Sequence, residues 1–126
     1  MSMSRTTMLF IRKSLEECGR FPGFVGAVLS SPDGLVLAST GSFGGDESAA
    51  CASGLQVQTA SSLGLLEAGA PKEMLIWGED RIWSLAVLPG EYLLLIASTE
   101  TGMTGPLREL AQRTAGMLNQ ALRILV

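Results

Sequence analysis

"MLIWGEDRIWSLAVLPGEYLLLIAST", Met74 to Thr99, contains three β-rich runs separated by two short turn signals, Gly78-Glu79-Asp80 and Pro89-Gly90. Tight turns between consecutive strands make an antiparallel meander. The last run, Leu93 to Ala97, is nearly all apolar. A strand of that kind suits the centre of a sheet covered on both faces, whereas an edge or half-exposed strand would alternate. Helices are therefore required on both sides of the sheet, and the flanking sequence has to supply them.

Downstream, Pro106 follows Gly105 and suits a first helical position. From there Leu107, Leu110, Ala111, Thr114, Leu118, Ala121, Leu122 and Leu125 form one apolar stripe to the C-terminus, with Arg108, Gln112, Asn119 and Arg123 off it. Upstream, "GFVGAVLSSPDGLVLAST" sets β-rich segments Phe24 to Ser30 and Leu35 to Thr40 around Ser31-Pro32-Asp33-Gly34. Proline fixes φ for the turn and glycine supplies a positive φ after Asp33, so a hairpin is expected. Before it, Met8, Ile11, Leu15 and Cys18 recur at helical steps between Ser4 and Cys18, with Arg12, Lys13, Glu16 and Glu17 largely opposite. This amphipathic helix ends at Gly19.

Between hairpin and meander lies "ESAACASGLQVQTASSLGLLE", Glu47 to Glu67, with no charge between its end carboxylates. Asp46 is placed to cap this helix, Glu47 favours the positive end of its dipole, and Ala68-Gly69-Ala70-Pro71 stops it. At about 100° per residue, Ala52, Leu55, Thr59, Ser62, Leu63 and Leu66 fall on the side able to cover the sheet. The opposite side collects Ala50, Gly54, Val57, Ser61 and Gly64, where a surface helix would carry Lys, Glu or Arg. Gly54 and Gly64 each cost about 1 kcal/mol relative to Ala and call for a packing reason. A small, flat, neutral face lets another helix approach closely, and a symmetry-related copy is the simplest neighbour.

The order is helix, two strands, helix, three strands, helix: an α+β sandwich around one antiparallel five-stranded sheet, with helices on both faces. The 126 residues fit one domain, 1–126. Hydrophobic residues make up 47% and charged residues 17%, below the usual charged share of about 25%. That leaves little charge to cover a monomer's surface, so composition alone suggests a protein partner. A net charge of −3 without a basic run gives nucleic acid nothing to track. The chain has no histidine and two cysteines, Cys18 and Cys51, so the familiar zinc spacings and the commonest general base are missing together. No metal or cofactor is expected, and both thiols read as reduced, structural and cytosolic. The short apolar stretch Met8 to Ile11 among Arg5, Arg12 and Lys13 is neither signal peptide nor membrane span, and Gln56 and Gln58 make membrane insertion of the neutral helix unattractive. A cytoplasmic location and no extended tail beyond Val126 are expected.

With these residues on the page, "GFVGAVLSSPDGLVLAST", the neutral helix and "MLIWGEDRIWSLAVLPGEYLLLIAST" together resemble the Roadblock family, named for a dynein light chain, from Gly23 to about Leu122. The resemblance implies a Roadblock-type, profilin-like sandwich and a homodimer. In that dimer the neutral helices pack side by side, and the strand after each helix, here Lys72 to Trp77, pairs across the twofold. The implied interface is Ala50, Gly54, Val57, Ser61 and Gly64 of the helix with Met74 and Ile76 of the strand. Bacterial members of the mutual gliding motility protein B type commonly bind and regulate small Ras-like GTPases, so the resemblance also implies a GTPase partner and a regulatory or scaffolding role without catalysis. The alternative is a small-molecule sensor with its ligand held between sheet and helix.

Other candidate chemistry is thin. "GSFGG" precedes a helix but lacks the phosphate-loop lysine, and Asp46 would repel phosphate. "SSPDG" and "ASTETG" place hydroxyls beside carboxylates, yet without histidine no Ser-His-Asp arrangement can form. Cys51 near a helix start could be a nucleophile, but with no basic neighbour in sequence it reads as a small packed thiol. Arg20, Arg81 and Arg108 lie near element ends, where an arginine could stabilise charge on a GTPase, although solvated surface charge is the better explanation of them. Trp77 and Trp83 flank a turn and could anchor a partner or fill the sheet face beneath a helix.

Overall fold

A serine hydroxyl starts the first helix. In the computed structural model, which describes residues 4–123, Ser4 Oγ accepts the Thr7 amide at 3.1 Å, satisfying one of the free first-turn donors. Helix α1, Arg5–Glu17, buries Ile11 and Leu15. A 3-10 turn, Cys18–Arg20, follows with Cys18 buried, so Gly19 sits inside this turn and is not the residue that ends the helix.

Strands β1, Phe24–Ser30, and β2, Val36–Gly41, form the expected hairpin. The Gly34 amide donates to Ser31 O at 3.1 Å and the Leu35 amide to Ser31 Oγ at 3.1 Å. Gly34 has φ +86°, the left-handed conformation that the turn demands.

Helix α2 spans Gly45–Gly64, capped by Gly44 and not by Asp46. Asp46 lies inside the first turn with Glu47, where both carboxylates still face the positive end of the dipole. The earlier start comes from close docking on β2: a Cβ at Gly45 would meet Ser39 Oγ at 3.2 Å. At the far end Ala68 N donates to Leu63 O and Glu67 N to Gly64 O, with Glu67 at φ +60°. This paired closure with a left-handed residue is a Schellman-type stop, and here glutamate holds the position glycine usually takes.

Strands β3, Glu73–Trp77, β4, Ile82–Val87, and β5, Leu93–Ser98, complete one antiparallel sheet in the order β2-β1-β5-β4-β3. β5 is central and buried along its whole length, as its apolar run requires. Helix α3, Thr104–Leu122, begins before Pro106. Proline is tolerated there because first-turn amides have no intrahelical acceptor, and the first bond runs from the Leu107 amide to Met103 O. Leu125, assigned to the same stripe, lies outside the described residues.

The two faces differ. On one, α1 and α3 enclose Ile11, Leu15, Leu29, Leu94, Ile96 and Leu118. On the other, α2 seats Ala49 and Ala52 against Val28, Leu85, Leu93 and Leu95. Helix α2 packs across β1, β2 and β5, so its cover thins over β4 and the β3 edge.

Candidate interaction face

On α2 the sequence separates two sides, and the structure uses only one. Ala49 and Ala52 are buried, and Leu55, Thr59 and Leu63 are half-buried. Ala50, Gly54, Val57, Ser61 and Gly64 all face outward, with Val57 63% exposed. Among the described residues, a Cβ built on Gly54 or Gly64 meets no atom within 4 Å, so none of them accounts for either glycine. Two residues assigned to the sheet side are corrected. Ser62 is exposed, because the buried contacts of α2 lie in its first half, at Ser48, Ala49 and Ala52, and a short side chain in its last turn does not reach the sheet. Leu66 is 78% exposed because it lies in the closing turn, past the last residue that reaches the sheet, beside the still more exposed Leu65.

The strand that follows is equally bare. β3 pairs with β4 on one side and, among the described residues, has no partner on the other. Its register, Met74 opposite Leu85 and Ile76 opposite Trp83, places Met74 and Ile76 on the α2 side of the sheet. Met74 is half-buried and Ile76 is exposed. Leu75 and Trp77 point to the other face, Trp77 with 74% of its surface in water. From Met74 to Trp77 no charge or proline blunts this edge, although such devices normally protect unpaired strands. Gln56 Nε2 donates to Pro71 O at 3.0 Å, tying the connection between α2 and β3 back to the helix. Glu73 is held from the α3 side by Arg108 at 2.6 Å.

The remaining candidates separate clearly. Arg108 is engaged by Glu73, whereas Arg20 and Arg81 are exposed near element ends. Trp83 stacks on Phe43 with ring centroids 5.8 Å apart and planes 6° from parallel. The two tryptophans thus lie on opposite sheet faces, and only Trp83 fills space within the fold. Cys51 is exposed and not a packed thiol, because α2 turns Ala49 and Ala52 inward instead. Cys18 is buried, its Sγ 3.4 Å from Thr114 Oγ1, and burial pushes its thiol pKa up from 9.0. Among the described residues, no three His, Cys, Asp or Glu side chains converge on a point that could hold a metal.

A sheet of this order with one helix on one face and two on the other is found in solved structures. MglB from Myxococcus xanthus superimposes with a TM-score of 0.86 over 100% of this chain and 97% of that one, at 12% identity. An MglB described as having a tetrameric arrangement gives 0.86 over 100% and 97%, at 20% identity. A Roadblock/LC7 domain from Streptomyces avermitilis gives 0.65 over 98% of each chain, at 21% identity. The chain has the Roadblock/LC7 fold. No protein-family model matches it, and no curated protein does either. On this Roadblock scaffold, Leu65 and Leu75 join the exposed apolar set without having been singled out from sequence, and Trp77 takes the exposed one of its two expected settings. Their signal was an edge strand whose two faces are both apolar, and a Leu-Leu pair directly after Gly64.

Proposed function

We propose that this chain is a non-catalytic homodimeric regulator or scaffold that binds a small Ras-like GTPase. The observation that carries the reading is the continuity of two bare surfaces: the neutral outer side of α2 and the unpaired edge of β3, joined by a connection tied through Gln56 and Pro71. Two copies related by a twofold satisfy both at once. The β3 strands pair antiparallel, fusing two five-stranded sheets, while Gly54 and Gly64 let the two α2 helices approach closely. Ala50, Val57, Ser61, Met74 and Ile76 complete the contact. The GTPase partner is supported by the sequence resemblance to Roadblock proteins together with the MglB-like fold.

Mass in solution tests the dimer. Wild type runs as a dimer at micromolar concentration, and Val57→Asp, which places a charge in the seam, runs as a monomer. A monomeric wild type would sink the proposal. For the partner, the dimer is used to recover GTPases from native lysate with GDP and with a GTP analogue. Absence of any nucleotide-dependent partner removes the regulatory half of the reading.

The sensor reading has one observation in its favour. A cavity of about 210 Å³ lies between sheet and helix, lined by Ser53, Gln56, Ala60, Val87 and Leu93 among others. Gln56 Oε1 is buried without a hydrogen-bond partner among the described residues. A ligand there would be small and would donate to that oxygen. Ligand-dependent melting that Gln56→Leu abolishes is its test.

A further inference from the structure

The α1 and α3 face of the sheet carries a second feature that the proposed dimer does not use. Between the turn after α1 and the middle of α3 there is an open hollow of about 610 Å³. Phe21, Leu110 and Met117, all half-buried, make its apolar lining, and Arg20, Arg113 and Glu17 are exposed around it. At its base Cys18 and Thr114 link the two walls through their 3.4 Å contact. Its rim is held firmly: Ser98 Oγ donates to Pro22 O at 2.7 Å and the Thr99 amide to Gly23 O at 2.8 Å.

We propose that this hollow docks an acidic segment of a partner protein, with an apolar side chain seated against Phe21, Leu110 and Met117 and a neighbouring carboxylate held by Arg20 and Arg113. The charge balance selects the occupant. In a chain of net charge −3, two guanidinium groups line one hollow with a single carboxylate. Among the described residues neither takes part in an ion pair, the one such pair being Arg108 with Glu73. Arginine presents a planar fork of donors that matches a carboxylate, and it is favoured where a charged group meets a partly desolvated surface. An aromatic ring and a methionine supply adaptable apolar contact beside it. The apolar lining is itself part-exposed, so a chain segment can enter from the side. Nucleic acid and anionic lipid surfaces are disfavoured by the lack of any further basic run.

The site stands on the α1 and α3 face, away from α2, and does not rest on the dimer reading. A dimer built through α2 and β3 would carry two such hollows.

Phage-displayed short peptides are selected on the wild-type chain, and the recovered sequences are synthesised and titrated. Expected are peptides in which Asp or Glu neighbours Leu, Ile or Phe, with amide resonances of Cys18, Phe21, Leu110 and Thr114 shifting on binding. The double variant Arg20→Glu, Arg113→Glu melts with the wild type, since both side chains are exposed, and binds about tenfold more weakly or worse. Val57→Asp binds the peptides as wild type does, which separates this site from the dimer seam. Failure to enrich any peptide, enrichment without acidic residues, shifts that map to α2 or β3, or equal affinity of the charge-reversed chain would each overturn the proposal.

Discussion

At the scale of single residues, three positions set local limits. Gly26 lies under the Phe43 ring, where an added Cβ would stand 2.7 Å from a ring carbon. Gly26→Ala must displace Phe43 and with it the stack on Trp83, and should cost about 1–3 kcal/mol in urea unfolding. Glu67 sits at φ +60° in the stop of α2. A side chain there costs roughly 1–2 kcal/mol, partly offset by the chain freedom that glycine adds to the unfolded state. Glu67→Gly should therefore raise stability by about 0.5–1 kcal/mol, read as a higher urea midpoint at unchanged slope. Cys18 gives a pH signature. Its thiol pKa is raised in the fold, first by burial, so the unfolded chain loses its proton at lower pH than the folded one. The stabilisation is complete below the ordinary value of 9.0 and is lost as pH rises from there through the raised value of the folded state. Cys18→Ala should flatten the alkaline fall in stability relative to wild type.

Among elements, α2 and β3 carry the functional argument. Because none of the described residues lies within 4 Å of a Cβ at Gly54, Gly54→Ala should stabilise the isolated fold by about 1 kcal/mol when measured in the Val57→Asp background. In the otherwise wild-type chain the same change should weaken association, measured by dilution in an analytical ultracentrifuge. The opposed signs separate a seam glycine from a merely tolerant one. Most elements were legible beforehand because their signals are local. Ser31-Pro32-Asp33-Gly34 dictates a turn by its own chemistry, and Leu93 to Ala97 can be nothing but central. The helix starts were less legible. Asp46 and Pro106 have the right residue types for cap and first position, but the docking of Gly45 on β2 and the tolerance of a first turn for proline both depend on surroundings that sequence does not display. The same reason left the setting of Trp77 open and hid the hollow beside Phe21: whether a side chain is covered depends on how far a neighbouring helix extends, which is a tertiary matter.

In the whole molecule, the layers are uneven. Two helices with long side chains cover one face, while α2, whose buried contacts are largely alanine, covers only part of the other. The centre holds the fold: Leu95, fully buried beneath α2, should cost about 2–5 kcal/mol as Leu95→Ala, against less than about 1 kcal/mol for Arg108→Ala, whose ion pair is half in water. The unblunted β3 edge has one more consequence. Pairing β3 with another β3 about a twofold closes on itself and stops. Pairing β3 with the far edge, β2, would instead leave fresh ends and grow into a fibre. Strand β2 is badly suited to that role, since its pairing with β1 slips at Leu29 and Ser30 and it finishes in Gly41 at φ +85°. In the proposed dimer, the irregular strand on one side of the sheet would thus act as a terminator that makes it safe for the other side to be adhesive.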